Sequence, residues 1–323
     1  MSRFGTPVPY DATAVRLEHS ALPAPVRERI AKELGAEPVE VRPAGGGFTG
    51  GFAALVRSGS GAELFVKAAG PDMPFVVGAY RLEAEVNPAL PEGVPVPRLR
   101  FAAEVEGWTV LGFEAVRGRA PRLPVATRDL DLMLRAWAEA SERLAPVPQS
   151  LLDLGFGPGP MGEALHRFAG VASGEVEPFP VPPALEGRID ELAELESRLE
   201  EVLRADEVIH FDLRTDNMIV GADRAWICDW NGIGVHAAWF DTANFLVVPY
   251  GDGHDADRLL RYHPTAVGVA DEQIDTVLAA VTGYYLAQGR LDPIEGASPY
   301  LREHQWWCGL AAADWLAGRR GWR

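Results

Sequence analysis

The sequence predicts an α+β chain in two lobes, antiparallel strands first and helices after. Three observations predict it. Short alternating segments punctuated by glycine and proline fill residues 37–115. Helical periodicity takes over from residue 129 onward. Between those later helices a small hairpin, residues 218–228, follows a polar turn that holds His210, Asp212 and Asn217.

Residues 1–36 read as a cap with a helix over about 25–34. Residues 39–43 alternate as a strand, and Gly45-Gly46-Gly47-Phe48-Thr49-Gly50-Gly51 follows as a hairpin tip. Strand character resumes over 52–57, turns at 58–61 and returns over 63–67, ending on Lys67. Glycines let backbone N–H groups approach phosphate oxygens, and Gly46, Gly47, Phe48 and Thr49 are the candidates for such a loop. A mobile turn is the plainer alternative. No Gly-Lys-Ser/Thr and no helix follow, so this is not a Walker loop. Lys67 supplies a compact cation for phosphates, or else guards an edge strand.

Residues 75–87 read as an amphipathic helix, ended by Pro88 and Pro91. Glu83, favoured over Glu85, would pair with Lys67; a solvated surface carboxylate is the alternative for either. Residues 99–103 and 109–114 form a further antiparallel pair, and 114–118 link the lobes. In the second half, 129–144 is a helix with Leu130, Leu134, Trp137 and Leu144 inward, and 145–183 is a Pro/Gly-rich insertion bordering the cleft. The acidic run 186–206 is a helix burying Leu192, Leu195, Leu199 and Leu203. Helices near 273–288 and 300–317 close the chain.

The chemistry concentrates in His210-Phe211-Asp212-Leu213-Arg214-Thr215-Asp216-Asn217 and in Asp229. Strand 218–220, turn 221–224 and strand 225–228 would return Asp229 beside Asn217. Asp212 then faces a hydroxyl as base, and Asn217 and Asp229 offer hard oxygen ligands to Mg²⁺ against triphosphate oxygens. A polar turn closing a hairpin is the bland alternative.

In order, the glycine loop, Lys67, Glu83, the His-x-Asp-x-x-x-x-Asn signature and Asp229 resemble the aminoglycoside phosphotransferase and choline kinase-like family of the protein-kinase-like superfamily. The resemblance covers about 39–245 and implies a bilobal kinase-like fold with a nucleotide-binding lobe at 1–115 and a helical lobe at 116–323. It implies that Lys67, partnered by Glu83, holds the α- and β-phosphates of ATP or GTP. Backbone atoms near Glu114 and Val116 would hold the base, with Phe113 behind it. Asp241 would brace the catalytic loop and His210 would be framework. Arg214 would touch the transferred phosphate, unless it only pairs with Asp216. Trp230-Asn231-Gly232 replaces the Phe-Gly of protein kinases and no activation loop is evident, which favours a small-molecule acceptor.

A net charge of −16 disfavours a nucleic-acid partner. An acidic cleft would draw a cationic acceptor, aminoglycoside-like or another antibiotic; plain solubility is the alternative account of the charge. Choline, a hydroxy amino acid or a sugar is the alternative acceptor, and a non-catalytic nucleotide-binding module is a third reading. Asp216, Trp230, Asn231, His236, Trp306 and Trp307 are candidate acceptor contacts, although tandem tryptophan on a helix reads first as core. No run of about eighteen apolar residues predicts a membrane span, and residues 1–7 lack a leader core. Cys228 and Cys308 read as reduced. A cytoplasmic monomer or homodimer is expected.

Overall fold

The computed structural model describes residue 4 and residues 8–322, so the expectation for residues 1–7 lies, Phe4 apart, outside the described residues. A five-stranded antiparallel sheet forms the first half: β1 Pro38–Pro43, β2 Phe52–Ser58, β3 Glu63–Ala69, β4 Leu99–Val105 and β5 Trp108–Glu114, in the order β1-β2-β3-β5-β4. Side chains alternate across it. Val66 and Ala68 of β3 join the core beneath helix α1 (Ala24–Leu34), together with Val26, Ile30 and Leu34. Phe65 and Ala69 face the other way, onto helix α2 (Pro74–Ala89). Lys67 shares that parity. On α2 the buried positions Val76, Tyr80 and Glu83 recur at helical spacing. One helical stripe and one strand face therefore bring Glu83 to Lys67, while Glu85 stays exposed.

Two boundaries differ from expectation. Pro88 lies inside the last turn of α2, because that turn still closes through Leu90 N–H donating to the Val86 carbonyl at 3.1 Å. The acidic run is two helices, α6 (Ile189–Ser197) and α7 (Leu199–Val202), broken at Arg198, with all four leucines buried as expected.

The helical half holds the larger core. It begins with α3 (Thr127–Arg143), whose Leu130, Leu134 and Trp137 are buried. The unassigned stretch 145–183 carries two short helices, α4 (Gln149–Leu152) and α5 (Arg167–Ser173). Strand β6 (Val208–Ile209) pairs with β9 (Gly234–Val235), and β7 (Met218–Val220) with β8 (Ala225–Ile227). Helices α8 (Trp239–Gly251), α9 (Ala256–Tyr262), α10 (Asp271–Gln288) and α11 (Leu301–Arg320) complete it. Sequence reading missed α8 and α9. Nearly every residue of α8 is buried, so it carries no polar face to betray a period. Among the described residues no helix is long and apolar enough to cross a membrane.

Candidate active site

Both halves line one cleft of about 1390 Å³. On its floor the segment between β6 and β7 is fixed from behind. Asp241, on α8, accepts from His210 N–H and, at 3.0 Å, from Phe211 N–H. Burial pushes the Asp241 carboxyl up to about 8, against those two hydrogen bonds. His210 is fully buried, and burial lowers it to about 4. The neutral ring places Nε2 2.8 Å from the Cys228 carbonyl, to which it donates as the Nε2–H tautomer, and it stands edge-on to Trp230. Phe211 and Asp229 adopt φ of +66° and +62°. Such backbone costs about 1–3 kcal/mol per residue and persists where surrounding structure demands it.

The hairpin delivers Asp229 as its length requires. Cys228 N–H donates to the Asn217 carbonyl at 2.8 Å, which puts the next residue at the mouth of the β7–β8 ribbon. The Asn217 amide Nδ2 donates to the Asp212 carbonyl (2.9 Å) and to its Oδ2 (3.0 Å). Asn217 Oδ1 has no protein partner among the described residues. The Asp229 side chain, 39% exposed, pairs with Lys67. Lys67 in turn donates to Glu83 Oε1 and Oε2 at 2.9 and 2.7 Å. Burial works against its charge, but Asp229 and Glu83 hold the ammonium well above its ordinary range. No hydrogen bond joins Asn217 to Asp229 through their side chains, and both residues line the cleft. Hard oxygens of this kind suit Mg²⁺, which needs only one or two protein ligands when phosphate oxygens supply others. Among the described residues no three His, Cys, Asp or Glu side chains gather for a metal.

Arg214 makes the ion pair with Asp216 that was expected of it as the alternative, and a second, unforeseen one with Asp212. Its Nε and Nη2 meet Asp216 at 3.0 Å each, and its Nη1 meets Asp212 at 2.8 Å. Burial, with Asp216 nearby, raises Asp212 to about 6, although Arg214 opposes the shift. A carboxylate poised there is close to the range that serves general-base work near neutrality.

The glycine loop is closed down. Arg16 threads it from the side, donating to the Gly46 and Thr49 carbonyls at 2.6 and 2.9 Å. A Cβ on Gly46 would lie 2.7 Å from the Tyr10 carbonyl, and Gly47 sits at φ +108°. These glycines therefore serve backbone packing of the chain on itself, whatever they do for a ligand. Phe48 dips into the helical half, stacked on His304 with centroids 4.8 Å apart and 5.5 Å from the Arg214 guanidinium. Ser298 N–H donates to its carbonyl at 2.8 Å.

At the junction of the halves, Phe113 is buried on the cleft wall, 5.4 Å from Lys67 Nζ. Glu114 N–H is consumed by the Arg98 carbonyl at 2.9 Å, and its carboxylate pairs with Arg100. Val116 N–H donates to no protein acceptor among the described residues.

Several expectations need correction. Trp230 is fully buried and donates to the Ile227 carbonyl. His236 is buried away from the cleft, whereas Trp307 in the core and Trp306 packed against it beneath Arg290 bear out the core reading of the tandem pair. Of the acceptor candidates, Asn231 and Asp216 reach the cleft, and the Asp216 side chain is covered by Arg214. The cleft is not an acidic funnel either. Asp72, Glu83, Glu114, Asp212, Asp216, Asp229 and Glu295 line it, but so do Arg16, Arg42, Lys67, Arg119, Arg214 and Arg302. The net negative charge lies elsewhere on the surface. Arg16, Tyr284, Arg302 and His304 were not foreseen; each stands far in sequence from any recognisable motif.

An antiparallel sheet, a lysine–glutamate pair across it and an Asp/Asn/Asp cluster under it define a kinase-like small-molecule phosphotransferase acting on hydroxyl groups. The chain belongs to the phosphotransferase enzyme family, whose model matches residues 41–275. No curated protein matches it in sequence. Among solved structures it is similar to spectinomycin phosphotransferase in complex with ADP and spectinomycin (TM-score 0.61, 11% identity, 90% of this chain and 98% of that one). It is likewise similar to APH(2")-IIia in its GDP and kanamycin complex (0.56, 15%, 90% and 97%) and to the choline kinase LicA from Streptococcus pneumoniae (0.55, 14%, 90% and 97%). At these identities the likeness is one of fold.

Proposed function

We propose that the chain moves the γ-phosphate of ATP, or GTP, to a hydroxyl of a small molecule by in-line transfer with magnesium. The observation that carries this reading is the convergence on one cleft of Lys67 with Glu83, Asp212 with Asn217, and Asp229. These residues come from four separate stretches of chain: β3, α2, the segment between β6 and β7, and the residue that follows β8 and Cys228. Asp212 orients the hydroxyl and accepts its proton. Asn217 and Asp229 hold magnesium, which, when bound, neutralises charge building on the phosphate oxygens. Lys67 anchors the α- and β-phosphates, with Glu83 fixing its direction. Arg214 reaches from Asp212 toward the transferred group. Gly46, Gly47, Phe48 and Thr49 cover the phosphates, Phe113 backs the base, and Glu114 carbonyl with Val116 N–H hold its edge. The lobe boundary is placed at 115/116.

The acceptor expected from the net charge is cationic, aminoglycoside-like or another antibiotic. The near-balance of charge around the cleft shifts weight to the second reading, a metabolic acceptor such as choline, a hydroxy amino acid or a sugar. We place the protein in the cytoplasm as a monomer or homodimer, with neither a nucleic-acid nor a membrane partner. A non-catalytic role is disfavoured by the presence of all four chemical positions, Lys67, Asp212, Asn217 and Asp229. ADP release from ATP and Mg²⁺ across amine, sugar and amino-acid panels tests the reading. Acceptor-dependent release supports it; nucleotide binding with no release for any acceptor would leave only the binding module.

A further inference from the structure

Six cations line the cleft, and five are already committed. Lys67, Arg42, Arg119 and Arg214 are ion-paired, and Arg16 spends its donors on three carbonyls of the glycine loop. Arg302, near the start of α11, differs from the four ion-paired cations in having no carboxylate partner, and from Arg16 in keeping one guanidinium nitrogen without a protein acceptor among the described residues. Its Nη1 donates to Gln305 Oε1 at 2.9 Å and more weakly to Gln288 Oε1 at 3.4 Å, and its Nε donates to the Asp292 carbonyl at 3.0 Å. All three partners are neutral oxygens. Among the described residues no carboxylate pairs with this guanidinium, and Nη2 has no protein partner.

Two glutamines from neighbouring helix ends thus orient a half-buried guanidinium without quenching it. A cation so held retains its full attraction for an anion, and its planar fork suits a carboxylate. Tyr284, one turn before Gln288 on α10, lines the same wall, and its hydroxyl makes no hydrogen bond among the described residues. Burial raises that phenol, Asp212 adds to the shift, and Arg214 and Arg302 oppose it. The ring therefore lies within electrostatic reach of both the base and Arg302. Phe240 and Val281 supply apolar surface to the same wall. The unpaired carboxylate there is Glu295, exposed at the rim.

We infer that Arg302 and Tyr284 are specificity-determining contacts for a carboxylate on the acceptor, so that the substrate is a small hydroxylated carboxylic acid rather than a polyamine. Arg302 receives the carboxylate in a charge-assisted hydrogen bond, Tyr284 donates to it from the side nearer the base, and the hydroxyl is left against Asp212. This inference rests on the phosphotransferase reading and narrows its acceptor.

The test uses the full chain with ATP and Mg²⁺ and a panel of hydroxycarboxylates, each paired with its primary amide, beside neutral sugars and aminoglycosides. ADP release is measured. A carboxylate should be phosphorylated with kcat/KM at least about tenfold above its amide. Arg302→Gln should raise KM for the acid about 10–100-fold, the worth of one charge-assisted contact. It should leave kcat and the KM for ATP within a few-fold and bring acid and amide level. Arg302→Lys should recover part of the loss, and Tyr284→Phe should lose less than Arg302→Gln. Equal use of acid and amide, or an acid KM unmoved by Arg302→Gln, overturns the inference. So does a wild-type protein that phosphorylates only sugars or amines, or that binds ATP by thermal shift and phosphorylates no acid. In those cases the parent reading survives wherever a sugar, an amine or any other acceptor of the panel drives ADP release; ATP binding with no release for any acceptor leaves only the binding module. A wild type that neither binds ATP nor releases ADP with any acceptor sinks both.

Discussion

The two walls of the cleft are built on different principles. The side proposed for the nucleotide is a closed electrostatic circuit, in which Lys67 satisfies Glu83 and Asp229. The side proposed for the acceptor is open, with Arg302 held by neutral oxygens and no carboxylate partner among the described residues. A closed circuit holds geometry for a ligand whose shape never varies; an open one waits for a group that differs between acceptors. Substitutions should therefore separate the walls. Changes on the first should act on every acceptor alike, and changes on the second should depend on which acceptor is offered.

The largest effect belongs to the floor that both walls share. Asp212→Asn should lower turnover about 10²–10⁴-fold, the range for a general base, with nucleotide affinity kept. Steady-state kinetics beside nucleotide thermal shifts would show it; near-normal turnover removes Asp212 from that role. Next comes Trp230→Ala. The ring is fully buried beside His210, so the cost should be stability, about 3–5 kcal/mol by denaturant unfolding. A stable variant with altered acceptor choice would restore the substrate role that its burial denies.

On the nucleotide wall, Glu83→Gln should raise the KM for ATP by about tenfold, or ~1.4 kcal/mol, for every acceptor tested. An acceptor-selective effect would erase the contrast between the walls. The last effect is read in stability against pH rather than in turnover, and it lies behind the wall proposed for the acceptor. Glu196 is fully buried, accepts from Ala169 N–H at 2.8 Å and lies against Gly283 of α10. Burial pushes it up to about 8. A carboxyl raised in the folded state binds its proton more tightly there than in the unfolded chain. Stability should therefore fall as pH rises from the ordinary glutamate range toward 8, with a slope of at most one proton, ~1.4 kcal/mol per pH unit. Glu196→Gln should flatten that slope in urea melts; an unchanged slope places its source elsewhere.

The same division governs what could be read from the chain alone. The sheet, α2, the β7–β8 hairpin and the residues Lys67, Glu83, Asp212, Asn217 and Asp229 announce themselves because spacing controls them. A period-2 strand and a period-3.6 helix fix which side chains meet. The acceptor wall follows no local period. Arg302 and Gln288 meet only because α10 and α11 pack as a pair, and Arg16 reaches the glycine loop across 30 residues of sequence. Trp230 and His236 stayed open as acceptor contacts because an aromatic residue near a motif looks the same in sequence whether it faces ligand or core. The overall charge misled because a sum over the chain says nothing of where the charges lie.

The most direct test of the central claim is magnesium titration of ATP binding in wild type and in Asp229→Ala. Magnesium should tighten ATP binding to the wild-type chain and leave the variant's binding unchanged. An identical magnesium response in the two proteins would contradict the assignment of that carboxylate as a metal ligand and, with it, the phosphoryl-transfer geometry built on it.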